Sequence, residues 1–363
     1  MQPLAFQPVL PASGEPAPLR RQADGWYLRV RAPRAEQITL EWADRTSCFV
    51  KTAEKGLFEI RLPFDSAVNY IQIRVDGLLF IDPRLPIAYG YGRPCNVIEL
   101  PQKTDSFWEI RDVPHGEIRQ SFFFSEAAGE WERCMIYTPP EYDRNPDRLY
   151  PVLYLQHGHG ENETGWTALG RVNFILDNLI AEGRVRPFVV VMNNGMVQEV
   201  RGGARRVDHV LFEEMLLREA IPFIEGKEHC GRSKHCRGIA GLSMGSMQTS
   251  RIALRHPEMF SEVGLFSGFL RDWIEGNPEI DPVPRPRSGQ RHLAALDDPR
   301  FSSCFRTFFR GIGDRDPFLR YFLEDDQILE EKGIHCTRKI YPGLHDWNVW
   351  RECIYDFSQM IFK

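Results

Sequence analysis

The residues with the clearest chemical potential are Gly241-Leu242-Ser243-Met244-Gly245. A short apolar run, Gly238-Ile239-Ala240, precedes them, and a helix-compatible segment, Ser246 to His256, follows. A serine at such a strand-to-helix turn sits on strained backbone that lifts its Oγ clear of the sheet. The flanking glycines carry no Cβ to clash with strand or helix. Ser243 is therefore a candidate nucleophile for acyl transfer. At neutral pH it needs a base beside it and an acid to orient that base.

Four histidines follow Ser243: His256, His292, His335 and His345. His256 ends the helix after the serine and His335 opens an expected strand, so both read as structural. His345 lies in Gly343-Leu344-His345-Asp346-Trp347, a loop just past the last expected strand. From there an imidazole can reach over the sheet edge. For the acid, Asp314 and Asp316 in Gly311-Ile312-Gly313-Asp314-Arg315-Asp316 follow a strand directly. Either could meet His345, the other capping the turn. Asp346 is a poor acid, since adjacent side chains rarely share one hydrogen bond.

A tetrahedral intermediate also needs donors for its oxyanion. The Met244 N–H is one. His157-Gly158-His159-Gly160, after the run Val152–Gln156, offers the second, with His159 N–H favoured and Gly158 or Gly160 as alternatives. Trp166 and Trp347 flank these two loops and are expected to contact substrate, ahead of Trp273 and Trp350. Arg351 reads as a structural ion pair more readily than as a clamp on a substrate carboxylate.

No metal or other cofactor is required by this chemistry. His229-Cys230 and His235-Cys236 carry ligand-type atoms, but neighbouring residues on extended chain point apart and converge poorly on zinc. The eight cysteines are scattered, and free thiols are expected. The N-terminus, Met1-Gln2-Pro3-Leu4-Ala5-Phe6, lacks the pattern of a signal peptide, which leads us to expect a cytoplasmic protein. A net charge of −5 disfavours nucleic acid and anionic membrane as main partners. No apolar run reaches membrane-spanning length.

The elements that must position these residues fall into two rhythms. Residues 24 to about 100 alternate in short strands: 26–30, 37–42, 56–60 and 70–75, with Asp76-Gly77 as a hairpin turn before Leu78-Leu79-Phe80. That spacing predicts a β-sandwich. Residues 1–23 read as a loosely held arm. From about 103 the pattern changes. Edge-like strands at 121–124 and 133–137 precede buried runs at 152–155, 188–192, 238–240, 263–266 and 307–309. Helical segments at 169–180, 211–224, 246–256 and up to about 333 alternate with them, and a strand at 334–341 closes the series. Alternating strands and helices predict a mostly parallel sheet covered on both faces, with the site at the carboxyl ends of its strands. The segment at about 273–297 is irregular and Pro-rich. We expect two domains, 1–102 and 103–363.

With these residues assembled, the chain resembles the carbohydrate esterase family 1 that contains feruloyl and acetylxylan esterases. The wider fold group includes esterase D, the enterochelin esterases and the mycolyltransferases. The matching pieces are Asp112-Val113-Pro114-His115-Gly116, Tyr150–Tyr154 with His157–Gly160, Trp166, Asn173–Ala181, Val191–Gly195, Gly241–Thr249 and His345–Arg351. The resemblance implies an α/β-hydrolase fold. Its G-x-x-D pattern maps onto Gly313 and Asp316 and favours Asp316 over Asp314. The N-terminal part is similar to the immunoglobulin-like, early-set CBM48 module often fused to these esterases, with Val75-Asp76-Gly77 and Asp82-Pro83 as its marks. Ser246 replaces a glycine usual after the Gly241–Gly245 turn, and Asn193-Asn194 replaces a commoner Pro-Asn.

The implied function is a serine carboxylic-ester hydrolase. It would remove feruloyl or other hydroxycinnamoyl groups, or acetyl, from plant cell-wall oligosaccharides. A siderophore esterase and an acyltransferase share the same machinery. A non-catalytic glycan-binding protein is the reading from a different class, and the intact Ser–Asp–His set argues against it. The expected partner is a small-molecule or oligosaccharide ester, and the sandwich offers a surface on which a homodimer could form.

Overall fold

The computed structural model describes residues 17–42, 45–64, 68–101, 106–201, 203–270, 296–298, 301 and 303–363. Trp273, His292 and most of the Pro-rich 273–297 segment lie outside the described residues, as does most of the 1–23 arm. The chain divides into two compact units, Met1–Ser106 and Phe107–Lys363.

In the first unit, one antiparallel sheet orders Leu19–Gln22, Gly25–Arg31, Leu57–Arg61 and Val50–Lys51. The other orders Arg45–Cys48, Ile38–Trp42, Val68–Val75, Arg93–Glu99 and Ile87–Gly90, with Leu78–Phe80 also paired to Val68–Val75. Alternate residues of both sheets meet in one core: Leu28, Val30 and Ile60 from the first, Ile38, Leu40, Ile71 and Ile73 from the second. This is the period-two pattern of a sandwich. Asp76 and Gly77 both take positive φ, 49° and 83°, as the tight hairpin turn between these strands demands.

The second unit is built on an eight-stranded sheet. Its strands are β1 Glu117–Ser125, β2 Glu130–Thr138, β3 Val152–Gln156, β4 Val189–Asn193, β5 Arg237–Leu242, β6 Glu262–Phe266, β7 Thr307–Gly313 and β8 Thr337–Tyr341. The spatial order is β1-β2-β4-β3-β5-β6-β7-β8. β1, β2 and β4 pair antiparallel, and every pair from β4 to β8 is parallel. β2 is thus interior, and β1 alone is the edge on that side.

The longer helices among the described residues are α1 Val172–Ala181, α2 His209–Met215, α3 Ile221–Lys227, α4 Met244–Arg255, α5 Leu319–Glu331 and α6 Trp347–Ser358. The single amphipathic helix expected at 211–224 is instead α2 and α3 joined by a π-helical stretch, Leu216–Ala220. β3, β4 and β6 are buried along their whole length, because helices cover both faces. On one face Val152, Tyr154, Val191, Ile239 and Val263 pack with Phe212 and Ile252 of the helices. On the other, the rings of Phe266 and Phe309 each lie 5.8 Å from Phe357 of α6. Among the described residues no helix is long and apolar enough to cross a membrane.

Candidate active site

The parallel register lines up several strand ends: Gln156 pairs with Gly241, Leu242 with Phe266, Phe266 with Gly311, and Gly313 with Tyr341. The loops that leave β3, β5, β7 and β8 therefore open on one edge of the sheet. Ser243, Asp316, His345 and the 157–160 loop all sit on them.

Ser243 joins β5 to α4 with φ 52° and ψ −117°, a conformation rarely populated by residues with a side chain. The neighbouring glycines make the turn possible. A Cβ on Gly241 would fall 2.4 Å from the Gly245 carbonyl oxygen, and one on Gly245 would fall 2.5 Å from the His157 carbonyl oxygen. The turn is thus wedged against the 157–160 loop with no room for a methyl group on either flank.

His345 Nε2 lies 2.9 Å from Ser243 Oγ, and His345 Nδ1 lies 2.8 Å from Asp316 Oδ2. An ionised carboxylate only accepts, so Nδ1–H donates to Asp316 and Nε2 is left to accept the serine proton. Asp316 is fully buried at its carboxylate, and its other oxygen accepts from Phe318 N–H at 2.9 Å. Asp314 does not meet His345. Its Oδ1 accepts from Gly343 N–H at 2.8 Å and so pins the loop that carries the histidine. The imidazole stands edge-on to Phe318 and Trp350, with centroids at 4.9 and 5.2 Å. Asp346 caps α6 through the N–H groups of Asn348 and Val349, which fixes the chain one residue beyond His345.

Met244 opens α4, so its N–H is one of the helix-start donors with no intrahelical partner. Of the other donors, Gly158 N–H is spent on Glu161 Oε2 at 2.9 Å and Gly160 N–H on Met196 Sδ at 3.5 Å. His159 N–H has no acceptor among the described residues.

His157, named from sequence only as part of the donor loop, has a structural side chain. Its Nε2 accepts from Gly195 N–H at 2.8 Å, so Nδ1 carries the proton toward Gly158 O, also at 2.8 Å. Complete burial pushes its pKa down to about 4, which keeps it neutral. Gln248 on α4 donates to Gly195 O at 2.8 Å, tying the loop after β4 to the helix that starts at the serine.

Trp166 and Trp347, expected to contact substrate, are corrected to buried supports. They are 1% and 2% exposed and pack edge to face at 5.1 Å. Trp166 Nε1 donates to Gln156 O and Trp347 Nε1 to Glu161 Oε1. Large aromatics near a loop read alike as wall or core, and burial decides for core. Arg351 is also buried, with Nε on Leu169 O and its guanidinium over Trp108. His256 pairs with Glu213 of α2. Among the described residues no cluster of three or more metal-ligating side chains occurs, and all eight cysteines are free.

Glu161 escaped the sequence reading. It is buried, and its two oxygens join the 157–160 loop (Gly158 N–H) to the start of α6 (Trp347 Nε1, 3.0 Å). One carboxylate thus sets the spacing between the 157–160 loop and the segment holding His345. Glu161→Gln keeps one acceptor oxygen for two donors. A buried hydrogen bond to a charged group is worth about 1.5–3 kcal/mol, so kcat should fall roughly 10- to 100-fold with KM nearly constant. Steady-state kinetics beside a thermal melt check this; a lowered Tm with unchanged kcat would leave Glu161 a purely structural residue.

The esterase family model matches residues 125–301. The chain is 32% identical over 345 residues to an endo-1,4-beta-xylanase/feruloyl esterase of Xylanibacter ruminicola, covering 92% of this chain and 44% of that protein. It therefore spans less than half the length of that relative. Among solved structures, a ferulic acid esterase superposes with TM-score 0.58 at 24% identity, over 68% of this chain and 98% of the other. The enterobactin esterase of Shigella flexneri superposes with TM-score 0.66 at 15% identity, over 94% of both chains. The fold is that of α/β-hydrolase esterases. By the family match over part of the chain and by the sequence relative, the chain is similar to esterases.

Proposed function

We propose that the protein is a carboxylic ester hydrolase, a serine esterase that removes feruloyl or related hydroxycinnamoyl groups, and secondarily acetyl, from plant cell-wall oligosaccharides. The observation that carries the mechanism is the single line of hydrogen bonds from Asp316 through His345 to Ser243. His345 Nε2 takes the Ser243 proton as Oγ attacks the ester carbonyl. Asp316 stabilises the imidazolium, and the Met244 and His159 N–H groups donate hydrogen bonds to the developing oxyanion. His345 then protonates the departing sugar oxygen. A water, activated by the same histidine, releases the acid from Ser243.

The substrate class is supported by the Xylanibacter relative, whose name joins xylanase and feruloyl esterase activities. In this reading the N-terminal two-sheet unit is an early-set, CBM48-like module, and the eight free thiols are compatible with a reducing compartment. A second reading, a siderophore esterase, is favoured by the likeness to the enterobactin esterase across nearly the whole chain. Turnover of methyl ferulate, an acetylated xylo-oligosaccharide and a catecholate triester separates the two. We expect kcat/KM to be highest on the ferulate. A preference for the triester would transfer the assignment to siderophore hydrolysis.

A further inference from the structure

The β1–β2 hairpin carries three large aromatic side chains in solvent: Phe122, Phe124 and Trp131, at 53%, 45% and 70% exposure. They share one face. Phe124 is directly opposite Trp131 in the register, and Phe122 lies two residues along, opposite Arg133. The intervening Phe123 and its partner Glu132 point inward and are buried. The rings of Phe124 and Trp131 meet edge to face at 5.8 Å, so the ring making contact through its edge keeps its own faces open.

The register also fixes where this strip stands. Cys134 pairs with Asn193, the last residue of β4. Residues 130–133 of β2 and their partners 122–125 of β1 therefore overhang the carboxyl edge of the sheet, on the side where Ser243 lies. Two bonds tie the overhang to the site loops. Arg133 pairs with Glu163, two residues beyond Glu161, and Glu132 accepts from Asn194 just after β4. β4 and β3 separate β2 from β5, so the strip stands three strand spacings, about 14 Å, to the side of the nucleophile strand.

We propose that this strip is a stacking platform for the sugar chain of the ester substrate, an inference that rests on the carbohydrate-ester reading above. Exposed apolar patches of this kind mark binding surfaces, and the chemistry here selects a neutral glycan. A sugar ring has an apolar C–H face that lies on an aromatic ring and a hydroxyl edge that stays in water. The charge of Arg133 is matched by Glu163, and Glu130 adds negative charge at the hairpin end, so the surface does not attract anionic ligands. The offset from Ser243 is that of a chain continuing past the esterified unit.

The test compares the full chain with F124A/W131A and with W131F on methyl ferulate and on a feruloylated xylo-oligosaccharide. Calorimetric titration with an unesterified xylo-oligosaccharide runs alongside. We expect the double variant to keep methyl ferulate turnover within about twofold, which also shows that it folds. Its KM for the oligosaccharide should rise about tenfold, the scale of two stacking rings, while W131F stays close to wild type. Equal losses on both substrates, or an unchanged oligosaccharide KM, would overturn the platform. A change confined to oligomeric state by light scattering would also overturn it, marking the strip as a contact between copies. If wild type fails to cleave the oligosaccharide ester, the carbohydrate-ester reading falls. The titration then decides the platform alone: glycan binding lost in the double variant supports it, and no binding by wild type ends it.

Discussion

Replacing Ser243 with alanine is expected to lower kcat for ester hydrolysis by about a million-fold while the protein stays folded. The substitution removes one oxygen whose hydrogen-bond partner is His345. It adds no backbone strain, because serine and alanine both place a Cβ at φ 52°. The packing that makes the turn, with Gly241 and Gly245 against neighbouring backbone, is untouched. His345→Ala should cost a similar factor, and the double variant little more, since nucleophile and base act as one unit. Pre-steady-state and steady-state turnover of an activated ester, with a thermal melt on the same sample, measure both parts. Turnover near wild type from a folded Ser243→Ala protein would remove the serine from the mechanism.

The second large effect separates two carboxylates only two residues apart. Asp316→Asn should lower kcat about 10⁴-fold, because an amide cannot hold the imidazole in the tautomer that leaves Nε2 free to accept. Asp314→Asn should be mild. Its task is to accept one N–H, from Gly343, and an amide oxygen does that as well. The comparison of kcat for the two variants is the measurement. The reverse ranking would make Asp314 the group that orients His345.

Much of the site is legible in the sequence because local chemistry places it. A serine flanked by glycines after an apolar run forces the tight turn wherever it folds. A histidine just past the last strand of a parallel sheet ends on the same edge. The two aspartates were separable only through a family pattern. Both follow β7, and which one turns inward depends on the hydrogen bonds Asp314 makes to the loop after β8. Glu161 left no local signal. Its meaning comes from Trp347, 186 residues away, and no spacing rule spans that distance.

The tryptophans show the complementary limit. Trp166 and Trp347 were placed near the right loops, but a large aromatic beside a site serves equally as a wall or as the floor below it. The third dimension decides for the floor. In the fold, the buried runs of β3 to β7 were legible because a sheet covered on both faces must be apolar throughout. The π-helical Leu216–Ala220 and the small hairpin of Gln198–Arg201 with Ala204–Val207 were not. Both depend on packing that periodicity does not encode. The exposed alternation of Phe122 and Phe124 likewise became meaningful only once β2 was seen to overhang β4.

Ser243 is expected to carry the acyl group during turnover. Intact-protein mass spectrometry after brief mixing with an activated, slowly deacylating ester detects that species. One acyl mass should appear per chain, localise by peptide mapping to the segment containing Ser243, and decay as free acid is released. An adduct on another residue, or hydrolysis that proceeds at full rate with no acylated protein at any time, would contradict the account.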